Sequence, residues 1–87
     1  MPPDLGGGHA ITAATVGTFY RAPEQGAPPF VEVGDTVRPG QQVAIVEAMK
    51  LMIPVEAGVY GRVREVLVAD VQPVEFGEPL LLLIERG

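Results

Sequence analysis

The sequence predicts an all-β fold of two packed sheets, and three observations carry that reading. Short segments rich in Val, Ile and Leu recur along the chain, punctuated by Gly, Pro and Asp, which is the pattern of strands joined by turns. Eleven glycines and nine prolines stand among 87 residues, too many for helices, and no stretch shows a helical period with caps. The two halves also repeat weakly, so the chain reads as two similar four-stranded units that complete one another. Packed face to face, two four-stranded sheets would bury alternate positions along each strand.

The elements follow in order. Met1-Pro-Pro-Asp-Leu-Gly-Gly-Gly8 has too few apolar residues to pack and reads as a flexible lead-in over residues 1–8, with the domain proper over 9–87. Strands are expected at residues 10–13 and 17–21. A loop follows, Ala22-Pro-Glu-Gln-Gly-Ala-Pro-Pro29, with three prolines, one glycine and no strand pattern. Further strands are expected at 36–37, 42–47, 51–56, 58–63, 65–67 and 79–85. Asp35-Thr-Val-Arg-Pro-Gly40 has turn residues at both ends, and Gly77-Glu-Pro79 does the same before the last strand. Pro54 within a strand indicates an edge position.

The repeat is read by matching residues. Val33-Gly-Asp-Thr-Val37, Gly40 and Val43–Val46 resemble Val68-Ala-Asp70, Val74, Gly77 and Leu80–Leu83. The offset is 35 at the Val-x-Asp positions and 37 after the glycines, whereas Val16-Gly17 echoes Tyr60-Gly61 at an offset of 44. The change from 44 to 35 implies about nine extra residues in the first half, and the loop at 22–29 fits that insertion.

Composition excludes several function classes. The net charge is −5, which argues against nucleic acid and anionic membranes as partners, since both need clustered Lys and Arg. There is no cysteine, so disulfides, thiolate metal sites and cysteine nucleophiles are out, consistent with a reducing compartment. His9 stands alone, which leaves no zinc ligand set. The longest apolar run, Leu80 to Ile84, is far short of the ~20 residues of a membrane helix. No signal peptide is expected. The eleven carboxylates are spread along the chain and read as solvated surface, with Glu47 the exception discussed next.

The chain has a single lysine, Lys50, inside Val43-Ala-Ile-Val-Glu-Ala-Met-Lys-Leu-Met-Ile-Pro-Val55. If the β-branched flanks pair as a hairpin, the link falls around Ala48-Met-Lys-Leu51, at the joint between the two repeats. Two-residue hairpin turns favour Asn-Gly or Asp-Gly, because positive φ is costly for other residues. Met49-Lys50 breaks that rule, and such departures often mark function. Met49 is expected to be exposed and Met52 at least partly buried. An ordinary solvated lysine is the plain alternative. Against it stand the uniqueness of Lys50, its place at the joint, and the apolar Met49 and Leu51 around it, which suit a surface read by another protein.

Glu47-Ala-Met-Lys-Leu-Met52 resembles the biotin-attachment motif of biotin-dependent carboxylases, whose core is Ala-Met-Lys or Ser-Met-Lys. Ala57-Gly-Val-Tyr-Gly61 and Val74-Glu-Phe-Gly-Glu-Pro-Leu80 also match, and Val16-Gly-Thr-Phe-Tyr-Arg-Ala-Pro23 is similar to the biotin carboxyl carrier proteins of multi-subunit acetyl-CoA carboxylases. The resemblance covers about residues 9 to 86. It implies a flattened barrel of two four-stranded antiparallel sheets with quasi-two-fold symmetry. It implies biotin in amide linkage on Lys50, flanked by Glu47, Ala48, Met49, Leu51 and Met52, and a "thumb" loop whose Ala22, Pro23, Glu24, Gln25, Gly26, Ala27, Pro28 and Pro29 contact biotin. Biotin protein ligase, biotin carboxylase and carboxyltransferase are the implied partners. The implied role is non-catalytic: CO2 is carried on biotin to acetyl-CoA, for malonyl-CoA synthesis in a cytoplasmic, bacterial-type or plastid setting. Family members often have Met at the place of Leu51, a polar residue at Ile53, and Ser-Pro-Met where this chain has Ala13-Ala-Thr15. A lipoyl carrier of the same fold would resemble Asp-Lys-Ala at the tip, and an unmodified interaction module would not need the motif. No nucleophile, acid–base pair or metal set supports an enzyme.

Overall fold

The computed structural model describes residues 8–85. They form β1 (Gly8–Thr12), β2 (Gly17–Tyr20), β3 (Thr36–Val37), β4 (Gln42–Ala48), β5 (Leu51–Glu56), β6 (Gly61–Val66), β7 (Gln72–Val74) and β8 (Pro79–Glu85). No described residue is helical. The strands make two four-stranded sheets in the orders β1-β8-β6-β3 and β5-β4-β2-β7, and every pairing is antiparallel. The molecule measures 37 × 29 × 20 Å. The thin dimension suits two sheets packed about 10 Å apart with side chains on their outer faces.

Advancing each strand by four positions converts one sheet order into the other, so the expected two-fold relation is present. Hydrogen bonds repeat with it. Gly40 N–H donates to the Ala57 carbonyl and Gly77 N–H to the Ala13 carbonyl, both at 2.8 Å. Glu32 N–H is capped by Asp35 Oδ2 and Ala69 N–H by Gln72 Oε1. Arg38 and Glu75 N–H are capped by Gln41 and Glu78. The donors and capping residues all lie 37 residues apart, while the acceptors Ala13 and Ala57 lie 44 apart, so Asp35 corresponds to Gln72 and not to Asp70. The first half therefore carries seven extra residues, the difference between offsets of 44 and 37, rather than nine.

Between the sheets lies one core cluster. Its largest fully buried side chains are Phe19, Leu80, Leu81, Leu83, Val37, Val43, Val46, Val63 and Val74. The central strands β4 and β8 each carry an unbroken buried run, Val43–Val46 and Leu80–Leu83, three residues of each belonging to the core cluster. Ile45 and Leu82 are buried yet lie outside the core cluster. They occupy equivalent outer-face positions, opposite Pro54 and Ala10 respectively. Gly17 and Gly61 are the matched close approaches of the repeat. A Cβ on Gly17 would run into the Glu47 carbonyl oxygen, and one on Gly61 would come within 2.7 Å of the Ile84 carbonyl oxygen.

Several bounds differ from expectation: β1 runs over Gly8–Thr12 and not 10–13, β2 ends at Tyr20 and not at 21, and β4 continues to Ala48. The strands expected at 58–63 and 65–67 are one strand, β6, which starts at Gly61 and passes through a register shift between Val63 and Glu65. Residues 57–60 are instead a connection, anchored by mutual backbone bonds of Ala57 with Gly40 and Gln41. β7 was not expected, because Pro73 breaks its pattern. A proline is accommodated there because β7 is an edge strand, where a missing N–H leaves no partner short. Pro54 sits on the other edge, β5, as its chemistry predicts. Of the lead-in, residues 1–7 lie outside the described residues, and Gly8 is the first residue of β1.

Candidate functional site

The β4–β5 hairpin closes with Ala48 opposite Leu51, leaving Met49 and Lys50 as its two loop residues. Their φ angles are 51° and 67°. Both residues are thus left-handed, the geometry whose twist matches a tight hairpin and that Asn-Gly normally supplies. The sequence meets this geometry with side chains that dislike it, at roughly 1–2 kcal/mol per residue. Lys50 is exposed, and Met49 and Leu51 are 93% and 64% exposed. Met52 is half exposed at 51%, less buried than expected, because strand alternation puts it on the outer face with Pro54 and Glu56. Val16, immediately before β2, adds a further exposed apolar side chain, and the β2–β4 register sets it beside the turn.

Behind the turn on the same outer face lies Glu47, paired across the strands with Thr18. Its Oε1 accepts a 3.0 Å hydrogen bond from the Tyr20 hydroxyl. That hydrogen bond, then burial and the nearby Glu47 and Asp70 carboxylates, raises the Tyr20 phenol above its ordinary pKa. Glu47 is thus the one motif carboxylate that makes a defined contact away from its own strand. Ala48 is half-buried at the base of the turn.

The thumb leaves the sheet after Tyr20. Phe30 N–H donates to the Arg21 carbonyl at 2.8 Å and closes its base, and Arg21 Nη2 reaches the Val31 carbonyl at 3.2 Å. Its far end is a turn in which Ala27 N–H donates to the Glu24 carbonyl, with Gly26 at φ 86°. Ala22, Glu24, Gln25, Gly26 and Ala27 line a cavity of about 390 Å³ together with Tyr20, Asp70 and Val71. That volume lies within the ~300–1,000 Å³ range of small-molecule sites. Pro23, Pro28 and Pro29 are thumb residues but not part of this lining. The sequence-expected residues therefore fall into two groups, the turn with its flanks and the thumb with its cavity, and the Tyr20–Glu47 hydrogen bond connects them. Tyr20, Asp70 and Val71 were missed as site residues. Tyr20 was signalled by its place just before the thumb. Asp70 and Val71 come from a distant turn and had no local signal.

A two-ring cofactor on a flexible acyl arm fits this arrangement. The amine to hold it is exposed at the apex of the turn. The cavity level at Ile45 and Tyr20, which are paired, lies three strand residues below Ala48, or about 10 Å. An extended lysine stem and acyl arm together cover that span.

The family described as "Biotin-requiring enzyme" matches residues 9–83. Over 71 residues the chain is 55% identical to the biotin carboxyl carrier protein of acetyl-CoA carboxylase from Nostoc sp. (strain PCC 7120), covering 82% of this chain and 39% of that protein. It is 47% identical over 76 residues to the protein of the same name from Haemophilus influenzae, covering 87% of this chain and 49% of the relative. The chain thus spans about half or less of the length of these relatives. Among solved structures, a single-chain, multi-domain long-chain acyl-CoA carboxylase superposes with TM-score 0.80 at 27% identity, over 99% of this chain and 8% of that one. The Kluyveromyces lactis urea carboxylase superposes with TM-score 0.75 at 28% identity, over 97% and 6%.

Proposed function

The chain belongs to the biotin-requiring enzyme family, and on that premise we propose that it is a biotinyl carrier domain of acetyl-CoA carboxylase, with biotin in amide linkage on Lys50. The observation that carries the proposal is the placement of the chain's only lysine, exposed, at the apex of a turn whose two residues both have positive φ. Loading is a nucleophilic substitution at an acyl carbon. The neutral Lys50 amine attacks the carbonyl of biotinyl-adenylate on a biotin protein ligase, a C–N bond forms, and AMP leaves with the bonding electrons while the amine gives up a proton. The ligase supplies the activation, so no base in this chain is needed. When bound, biotin supplies a ureido nitrogen that carries the carboxyl group between two active sites.

The remaining work is done by this chain's own residues. The rigid turn holds the lysine stem clear of the sheet. Met49, Leu51 and Val16 give partners an apolar surface around it. Biotin carboxylase and carboxyltransferase are the partners that would visit this surface in turn, and acetyl-CoA is the acceptor. Tethering keeps the local concentration of the carried group high at both sites. The cytoplasm of a bacterium or a plastid suits that assembly.

Intact mass after incubation with biotin, ATP and a biotin protein ligase tests the proposal. One biotin increment, mapped to the peptide that holds Lys50, is the expected result. A folded protein that gains no increment would refute it, and the same assay with lipoate and its ligase would then identify a lipoyl carrier.

The thumb has its own expected result. Deleting residues 22–29 leaves biotin incorporation intact, because the loop stands away from the turn, but increases the motion of the attached ring. Relaxation of the biotin resonances checks this, and identical relaxation with and without the loop would remove the thumb from the function.

A further inference from the structure

Val71 has a φ of 60°. The left-handed region is rare for any residue other than glycine, and a β-branched side chain there is a conformational outlier. Side-chain packing does not offset the strain, because the side chain is 58% exposed and lies outside the core.

The other half of the molecule shows what the backbone alone requires. Gly34 is the equivalent position. Its N–H donates to the Val63 carbonyl at 2.8 Å, as Val71 N–H donates to the Phe19 carbonyl at 2.7 Å. Gly34 has φ 99° and open space where a Cβ would stand. The same turn is thus made once with glycine, at little steric cost, and once with valine, under strain. Hydrogen bonding explains the turn in both halves. It does not explain the isopropyl group.

The two positions differ in what stands over them: Gly34 lines a recess of about 360 Å³ with no thumb residue in its lining. Val71 lines the thumb cavity. Its neighbour Asp70 anchors that cavity, since Asp70 Oδ1 accepts a 2.8 Å hydrogen bond from Arg21 N–H at the start of the thumb. The turn is therefore fastened to the base of the thumb and presents an apolar side chain into the space that the thumb encloses.

We propose that Val71 is a positioning residue for the group carried on Lys50: its side chain is the apolar part of the thumb cavity's wall that lies outside the thumb, and it holds the sulfur-containing ring of biotin at rest there. This rests on the carrier reading above. Occupant and cavity agree on three points: the volume, the span from the turn, and the Tyr20–Glu47 hydrogen bond that joins the cavity wall to the lysine motif. An apolar wall suits the thioether ring, whereas the ureido ring needs hydrogen-bonding groups.

The test uses the biotinylated protein and its Val71→Gly and Val71→Asn variants. Both replacements tolerate positive φ, so both should fold. The wild-type protein should show nuclear Overhauser contacts between the Val71 methyls and protons of the sulfur-containing ring. The ring should move more freely in both variants. The unfolding midpoint of Val71→Gly should meanwhile rise by roughly 4 °C as the strain is relieved. A purely structural role would raise the midpoint and leave ring motion unchanged, and that result would overturn the proposal while the carrier reading stood. Absence of the methyl-to-ring contacts in the loaded wild type would overturn it as well. Failure of the carrier reading is seen separately, as a wild-type chain that takes up no biotin on Lys50.

Discussion

Lys50→Arg is expected to take up no biotin while unfolding at the wild-type midpoint. The side chain is exposed and makes no part of the core, so the change should alter stability by less than about 0.5 kcal/mol. Arginine keeps the length, the charge and the tolerance of the turn for an unbranched stem. It loses the chemistry, because the guanidinium remains protonated and cannot act as an amine nucleophile. No second lysine exists to take over. Intact mass after ligase treatment and a thermal melt by circular dichroism read the two halves of the prediction. A biotin increment on the variant, mapped away from the N-terminal amine, would contradict the assignment of the site.

Phe19→Ala is expected to have the largest effect on stability. Phe19 is 1% exposed at the centre of β2, between Val46 of β4 and Gln72 of β7. Its counterpart across the repeat is only a valine, Val63, so Phe19 fills more than its share of the space between the sheets. Removing a buried phenylalanine costs about 3–5 kcal/mol, out of the ~5–15 kcal/mol that holds a typical small domain together. For a domain of this size the melting midpoint should fall by roughly 15–30 °C. Phe76, 76% exposed, is the internal control. Phe76→Ala should stay within about 0.5 kcal/mol of wild type. Equal losses at the two positions would mean that the sheets do not pack around Phe19 as described.

The all-β class, the edge position of Pro54, the two-fold repeat and the lysine turn were legible because each leaves a local mark: alternation, a missing donor, a recurring Val-Gly pattern, a motif. What escaped was set by contacts distant in sequence. The strand through Pro73 is legible only once β7 is known to lie at an edge. The repeat was misaligned by two residues around Asp70 because Val68-Ala-Asp70 imitates Val33-Gly-Asp35 in letters. The turn itself selects any side-chain oxygen able to cap the N–H three residues earlier, and Gln72 does this as well as Asp35. The thumb was visible as a loop, but its cavity was not, since two of its eight lining residues, Asp70 and Val71, lie some fifty residues away. Tyr20 and Glu47 likewise meet only through the β2–β4 register.

The β1–β8 pairing sets Gly8 opposite Ile84. The other end of that pair, at Thr12 and Pro79, leads on to β2, whose first residue Gly17 lies against the Glu47 carbonyl just before the lysine turn. The first and last described residues therefore sit side by side at the pole opposite Lys50. This gives the domain a direction under mechanical load. Tension applied between the two ends would peel β1 from β8 one hydrogen-bonded pair at a time, a low-force route. Tension between the lysine and either end would run along the strands and load many hydrogen bonds at once in shear. A pulling experiment with handles at residues 8 and 85, then at 50 and 85, should find the second geometry distinctly stronger. The molecule is then stiffest along the line from its paired ends to Lys50.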